Sequence, residues 1–272
     1  LMGWGYQWAT DKHGRERTTD TDFSCANYGE LDRRIADYNR IGQDAERIYN
    51  ELTEAEQPAF YQLLYYPVRA SEQLNKMILK GQRNRWYALQ GRAATNPLRE
   101  EVRAHYDSLQ RLTADYNRLL NGKWNRIMTT RQGFACSYYE LPRLDSIRLP
   151  AGADPAIWVE GEDVLRGSRS FHALPTFNPY TRRTYRFEIF NRGDASFEWR
   201  AATSNDWIRL SNTSGTVSTQ QALDVDIDWD RAPVGDRILG TIEITAGTRR
   251  ETVFVSLFNP ASPTPETLQG LY

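Results

Sequence analysis

The sequence predicts a multi-domain chain of α plus β class, an antiparallel helical bundle followed by an Ig-like antiparallel β-sandwich. Three observations predict it. Apolar side chains recur at helical spacing in three long segments of the first half. The period then changes to two in several short runs of the second half. The length, 272 residues, suits two ordinary domains with a core in each. The expected partition is a bundle over 1–142, a sandwich over 143–260 and a loosely held Pro/Thr tail over 261–272.

The first helix is expected after a polar opening, with Asn27 as its cap and Glu30 three residues on. Its stripe is Leu31, Ile35, Tyr38, Gly42, Ala45, Tyr49 and Leu52, in alternating steps of about four and three. Thr53-Glu54-Ala55-Glu56 fits a capping box for the second helix. There Phe60, Leu63, Leu64, Pro67, Ser71, Leu74 and Ile78 form the expected buried face. Pro67 lacks an N–H and crowds the preceding turn, so a kink is expected at it. The polar, aromatic block from Asn84 to Arg92 reads as a docking surface or a capped bundle end.

Asn96-Pro97 opens the third helix, Val102, Tyr106, Leu109, Leu112 or Thr113, Tyr116 and Leu120 make its stripe, and Asn121-Gly122 closes it. Asp37-Tyr38-Asn39-Arg40 recurs as Asp115-Tyr116-Asn117-Arg118, read as two helices using one solution for their packed face. Beyond an aperiodic segment from Lys123 to Pro142, alternation marks strands at Tyr185–Ile189, Leu223–Trp229, Ile242–Ile244 and Val253–Leu257. Asn191-Arg192-Gly193-Asp194, Ser214-Gly215 and Ala232–Asp236 supply turns.

Lysine plus arginine (34) nearly cancels aspartate plus glutamate (35), so no nucleic-acid or acidic-membrane partner is expected. No apolar run approaches the roughly 18 residues of a membrane span. Cys25 and Cys136 lack metal spacing and are expected as buried free thiols. The chain opens on Leu1-Met2-Gly3-Trp4 without a basic segment and apolar run, which reads as a fragment lacking an upstream part.

Phosphate-loop, dinucleotide, zinc-protease and nucleophile-elbow motifs are absent. His13, His105 and His172 are scattered, and His105 reads as an ordinary surface histidine. Asp224-Val225-Asp226-Ile227-Asp228-Trp229-Asp230 lacks the glycine and glutamate of a calcium loop, and period two sends its carboxylates to one solvated face. Glu160, Glu162 and Asp163 read as solvated loop charges. No metal, cofactor or catalytic group is therefore assigned. The functional signal is basic and aromatic: Arg85, Trp86, Tyr87, Gln90 and Arg92, with Trp124, Asn125, Tyr138 and Tyr139. Guanidinium forks suit carboxylates and aromatic faces suit sugar rings. Packing at the end of the bundle explains the same residues.

The ordered series NYGELDRRIADYNR, AERIY, AFYQLLYYPVRASEQLNKM, NRWYALQGRAATN and GKWN resembles the helical region of glycoside hydrolase family 115, the xylan α-glucuronidases. WVEGE, LPTFNPYTRR, FEIFNRGDASFEW and DWIRLSNTSGTV resemble that family's C-terminal domain, so the resemblance runs over about Phe23 to Asn259. It implies removal of (4-O-methyl)glucuronic acid from α-1,2 branches of glucuronoxylan, with catalytic carboxylates in an upstream barrel absent from this chain. It also implies a secreted or periplasmic bacterial location, a homodimer, and a helical domain lying against the barrel. Arg85, Tyr87, Trp124 and Asn125 are the candidates for bordering the substrate cleft. One departure is visible: the family follows its Lys-Trp-Asn with a run containing His, Met and Asp, whereas Arg126-Ile127-Met128-Thr129-Thr130 follows here. The alternatives are a non-catalytic carbohydrate-binding or scaffolding protein, with Trp158, Trp199, Trp207 or Trp229 stacking on sugars, and a purely structural dimerisation unit.

Overall fold

The computed structural model describes residues 20–128, 140–162 and 172–266. Among them two compact units emerge: residues 20–25, 29–88, 95–128 and 140–146 form the first, and 26–28, 89–94, 147–162 and 172–266 the second. The first is helical and the second is built on two β-sheets, as the change of period predicts.

Helix α1 spans Glu30–Glu51 and buries Leu31, Gly42 and Ala45 on the predicted stripe. Its cap differs from the expectation. Gly29, at φ 57°, holds the N-cap position with no side-chain cap bond. Asn27 instead accepts from the Gly161 N–H (3.0 Å), and Glu30 accepts from the Ser24 N–H (2.8 Å). A left-handed φ is cheap only for glycine, which explains its place here.

The second helical segment begins with α2, Gln57–Phe60, then a π-helical turn over Tyr61–Tyr65, then α3, Tyr66–Leu89. Half of the expected capping box forms: Glu56 reaches back to the Thr53 N–H (3.0 Å). The Thr53 hydroxyl also donates to Glu56 (2.7 Å), and these bonds hold that carboxyl below its ordinary pKa. The π turn sits directly before Pro67. A proline ring crowds the carbonyl four residues earlier, and the wider turn relieves that contact. The extra residue shifts the helical phase at the turn, so the buried face there is not the predicted one, while Ile78 is buried with Leu74 packed beside it as expected. Tyr61 and Tyr65 are buried, whereas Leu63 and Leu64 are 71% and 54% exposed and Pro67 and Ser71 are also exposed. Beyond the turn the face runs through Glu72, Gln73, Met77, Ile78, Leu79 and Gly81.

Helix α4 spans Thr95–Gly122 and buries Leu98, Val102, Leu109 and Tyr116. Regular helix ends earlier than Asn121-Gly122: Leu119 is extended, and Leu120, Asn121 and Gly122 all have positive φ. Leu120 is therefore exposed rather than part of the stripe. The repeated Asp-Tyr-Asn-Arg motif shares its surface half, with Asp37–Arg40 and Asp115–Arg118 pairs at 3.6 and 3.4 Å. Its tyrosines differ. Tyr116 is buried beside Tyr66 (ring centroids 4.8 Å), while Tyr38 is half-buried under Arg34.

The second unit holds β1 Pro155–Val159, β2 His172–Ala173, β3 Tyr185–Asn191, β4 Phe197–Thr203, β5 Ile208–Leu210, β6 Ser214–Val217, β7 Gln220–Ile227, β8 Gly235–Ala246 and β9 Arg249–Asn259. They make a four-stranded sheet, β1-β3-β7-β5, and a five-stranded sheet, β2-β9-β8-β4-β6. All pairs are antiparallel except the two-residue β2, which runs parallel to β9. Period two decides the faces. Phe187, Ile189, Leu223, Val225 and Ile227 from one sheet and Trp199, Ile242, Ile244, Val253, Val255 and Leu257 from the other enclose a single core. The β8–β9 hairpin turns through two residues after Ala246, the first being Gly247 at φ 57°. Left-handed φ at that position is a hairpin requirement that glycine meets without strain.

Candidate functional site

The four cleft candidates do not converge. Arg85 and Tyr87 lie on the last turns of α3, 9% and 4% exposed. The Arg85 guanidinium donates to the Arg143 carbonyl (2.6 Å) and pairs with Asp20. It works inside the helical unit, beside Asn84, which donates to the Thr95 carbonyl (2.8 Å) and accepts from the Asp145 N–H (2.8 Å). Trp124 and Asn125 lie in the turn after α4. Trp124 packs on the cluster of Ala45, Tyr61, Tyr65 and Tyr116. That cluster adjoins the first turn of α3. From Tyr66 to Arg85 the helix rises about 1.5 Å per residue, roughly 28 Å in all, so the two pairs occupy opposite ends of α3.

The end that carries Trp124 is aromatic by construction. The π turn aims Tyr61 and Tyr65 inward, where their rings lie 5.1 Å apart and Tyr49 sits 4.6 Å from Tyr65. Both hydroxyls are satisfied, Tyr61 donating to the Leu112 carbonyl (3.1 Å) and Tyr65 to Glu46 (2.6 Å). Burial pushes Tyr65 up to about 12 and Tyr61 higher still, so both stay protonated. Over this floor the turn places the Lys123 ammonium 5.0 Å from the Trp124 ring, with Asn125 exposed beside it. A cation, a carboxamide and a partly exposed indole on one turn are groups able to receive a carboxylated, hydroxyl-rich ligand. Lys123 was legible within Gly-Lys-Trp-Asn but carries no signal of its own in sequence. Tyr138, Tyr139, Cys136, His13 and Asp163 lie outside the described residues.

Other expectations change. Arg92 is not on a docking surface: it is 0% exposed, within the β unit. It pairs with Glu188, bonds Gln90 and Gln220, and stacks 4.1 Å from the Phe190 ring. Glu160 is not a solvated loop charge. It is buried, accepting from the N–H groups of Tyr28 (2.9 Å) and Arg186 (3.1 Å). The Asp224–Asp230 run does not share one solvated face either. The strand ends at Ile227, and Asp228 turns inward to Arg209 (2.7 Å), which holds its carboxyl below the usual range. His105 is half-buried against Gln73 (2.8 Å), and burial beside Lys80 and Lys76 pushes it down to about 4. It is neutral at pH 7 and ill-suited to donate a proton there. Cys25 is a free thiol, pushed by burial up to about 11. Trp199 and Trp207 are buried in the sandwich core, Trp158 is buried beside Arg92, and Trp229 is partly buried against the core. Among the described residues no helix is long and apolar enough to cross a membrane.

No family model and no curated protein matches the chain. Solved structures share parts of the fold. A family GH115 4-O-methyl-α-glucuronidase with specificity for decorated arabinogalactans is 15% identical over 82% of this chain, at a TM-score of 0.41. The chain spans 35% of that enzyme's length. A GH5 xyloglucanase from Bacteroides ovatus matches 40% of this chain and 20% of its own, at 20% identity and a TM-score of 0.27. A carbohydrate-binding protein from the same organism, so described provisionally, matches 34% of this chain and 36% of its own, at 7% identity and a TM-score of 0.28. At these values the likenesses carry no argument, and function is argued from residues.

Proposed function

We propose that this chain is the accessory portion of a xylan α-1,2-glucuronidase. In this reading its bundle and sandwich brace an upstream catalytic barrel that removes (4-O-methyl)glucuronic acid from glucuronoxylan. The observation that carries the reading is the ordered series of family-115-like motifs from Phe23 to Asn259, laid on helices first and sandwich second. The Lys123-Trp124-Asn125 turn supplies the cleft border, its cation facing the uronate and its indole the sugar ring. Arg85 and Tyr87 act from within the bundle, holding the end of α3 in place. A homodimer and a secreted or periplasmic bacterial location belong to the same proposal.

A stand-alone sugar-binding module is the less favoured reading, because Trp158, Trp199 and Trp207 have no open face for a sugar. In the complete gene product, Trp124→Ala combined with Asn125→Ala is expected to raise KM for glucuronoxylan about tenfold with kcat little changed. Such a split marks lost ground-state binding. Steady-state release of glucuronic acid measures it. An unchanged KM would remove this turn from the cleft.

A further inference from the structure

We propose that Glu162 and His172 form a pH-sensitive clasp that holds the edge strand β2 of the five-stranded sheet to the turn after β1, the edge strand of the four-stranded sheet. The His172 Nδ1 lies 2.9 and 3.1 Å from the two Glu162 carboxylate oxygens. Both side chains are largely withdrawn from water, at 18% and 12% exposure. Glu162 is itself fixed by its N–H, which donates to the Val159 carbonyl (3.1 Å) around Gly161 at φ 91°. The strand it holds is slight. Beyond the His172–Val253 and Ala173–Phe254 pairings, the segment adds Leu174 and Phe177 N–H bonds to the Phe254 and Ser256 carbonyls, 3.0 and 2.9 Å. The two-residue strand has little ladder of its own; downstream, the Phe177 carbonyl accepts from the Phe258 N–H (2.9 Å) and Leu174 and Phe177 are buried in the core, so the charge-assisted bond chiefly fixes the His172 end of the segment.

The charges acting on His172 are Glu162 and, from β9, Glu251; both favour the imidazolium, and Glu162 outweighs the cost of burial. The folded value is thus raised. The added stability is complete below the unfolded histidine value of about 6.5 and is lost as pH rises through the raised folded value. A neutral imidazole can still donate from Nδ1 to the ionised carboxylate, but the attraction between two opposite full charges is lost. Loosening this end of the segment then weakens the Leu174 bond to the Phe254 carbonyl, a backbone acceptor on the outer edge of β9 that is open to pairing.

The test is an NMR titration of the His172 ring together with amide exchange of Leu174, corrected for intrinsic rates, at about pH 5.5 and about pH 8.5, on either side of the histidine range. In the native protein His172 should titrate above its ordinary value. Leu174 protection should fall severalfold at the higher pH, while that of Val255 holds. In Glu162→Gln, His172 should titrate lower and the pH response of Leu174 should disappear, with the core tryptophan fluorescence unchanged. A His172 titration at or below the ordinary value, or an equal pH response of Leu174 in Glu162→Gln, would overturn the clasp.

Discussion

Replacing Arg92 by methionine will destabilise the β unit by about 3–5 kcal/mol, the cost of removing one partner from a buried ion pair. Arg92 is wholly enclosed, and its guanidinium is shared among Glu188, Gln220 and Gln90 and lies over Phe190. Methionine fills much of the volume but leaves the Glu188 carboxylate with its charge and without its partner. A second change, Glu188→Gln, removes that charge and should recover part of the loss, so the two effects will not add. Lysine at 92 keeps the charge yet cannot present a planar fork to several acceptors, and should also be clearly destabilising. Urea titration followed by the fluorescence of the buried tryptophans measures all of these. A loss below about 1 kcal/mol for Arg92→Met would assign the pair no more than a surface value.

Asn191→Ala will cost a similar amount, about 3–5 kcal/mol, by a different mechanism. Asn191 is fully buried at the end of β3. Its Oδ1 accepts from the N–H groups of Asp154 (3.1 Å) and Gly193 (2.9 Å), and its Nδ2 donates to the carbonyls of Ala195 (2.8 Å) and Ser218 (3.0 Å). One carboxamide thus satisfies backbone groups from several connections, and alanine leaves all of them unpaired. Asn191→Asp is the sharper variant. It keeps the accepting oxygen but turns a second oxygen toward two carbonyls, and should destabilise at least as much at neutral pH. Gly193 belongs to the same turn: an added Cβ would lie 2.0 Å from the Gly152 carbonyl oxygen, which is backbone and cannot rotate away. Thermal melting of the two Asn191 variants and of Gly193→Ala checks the hub, and a shift of less than about 2 °C for Asn191→Ala would contradict it.

The fold was legible where a period runs uninterrupted. The α1 stripe and the Phe187–Ile189, Leu223–Ile227 and Val253–Leu257 alternations each name their buried face in sequence. Legibility fails where the backbone changes phase. One π turn before Pro67 exchanged Leu63 and Leu64 for Tyr61 and Tyr65, because an added residue changes which side chains of that turn face inward. Legibility also fails where a polar residue is buried by a distant partner. Arg92 and Glu188 are 96 residues apart, and nothing local to the Asn84–Arg92 block distinguishes a buried arginine from a solvated one. The candidate site suffered from a third limit: residue type grouped Arg85 and Tyr87 with Trp124 and Asn125, and only the length of α3 separates them.

The central claim is that this chain accompanies a glucuronidase without carrying its chemistry. The most direct measurement is release of glucuronic acid from glucuronoxylan by this chain alone, beside the product of its complete reading frame. The account predicts no release by the chain and release by the complete product, with a barrel encoded upstream. Release by the chain alone, or a reading frame that encodes no barrel, would contradict it.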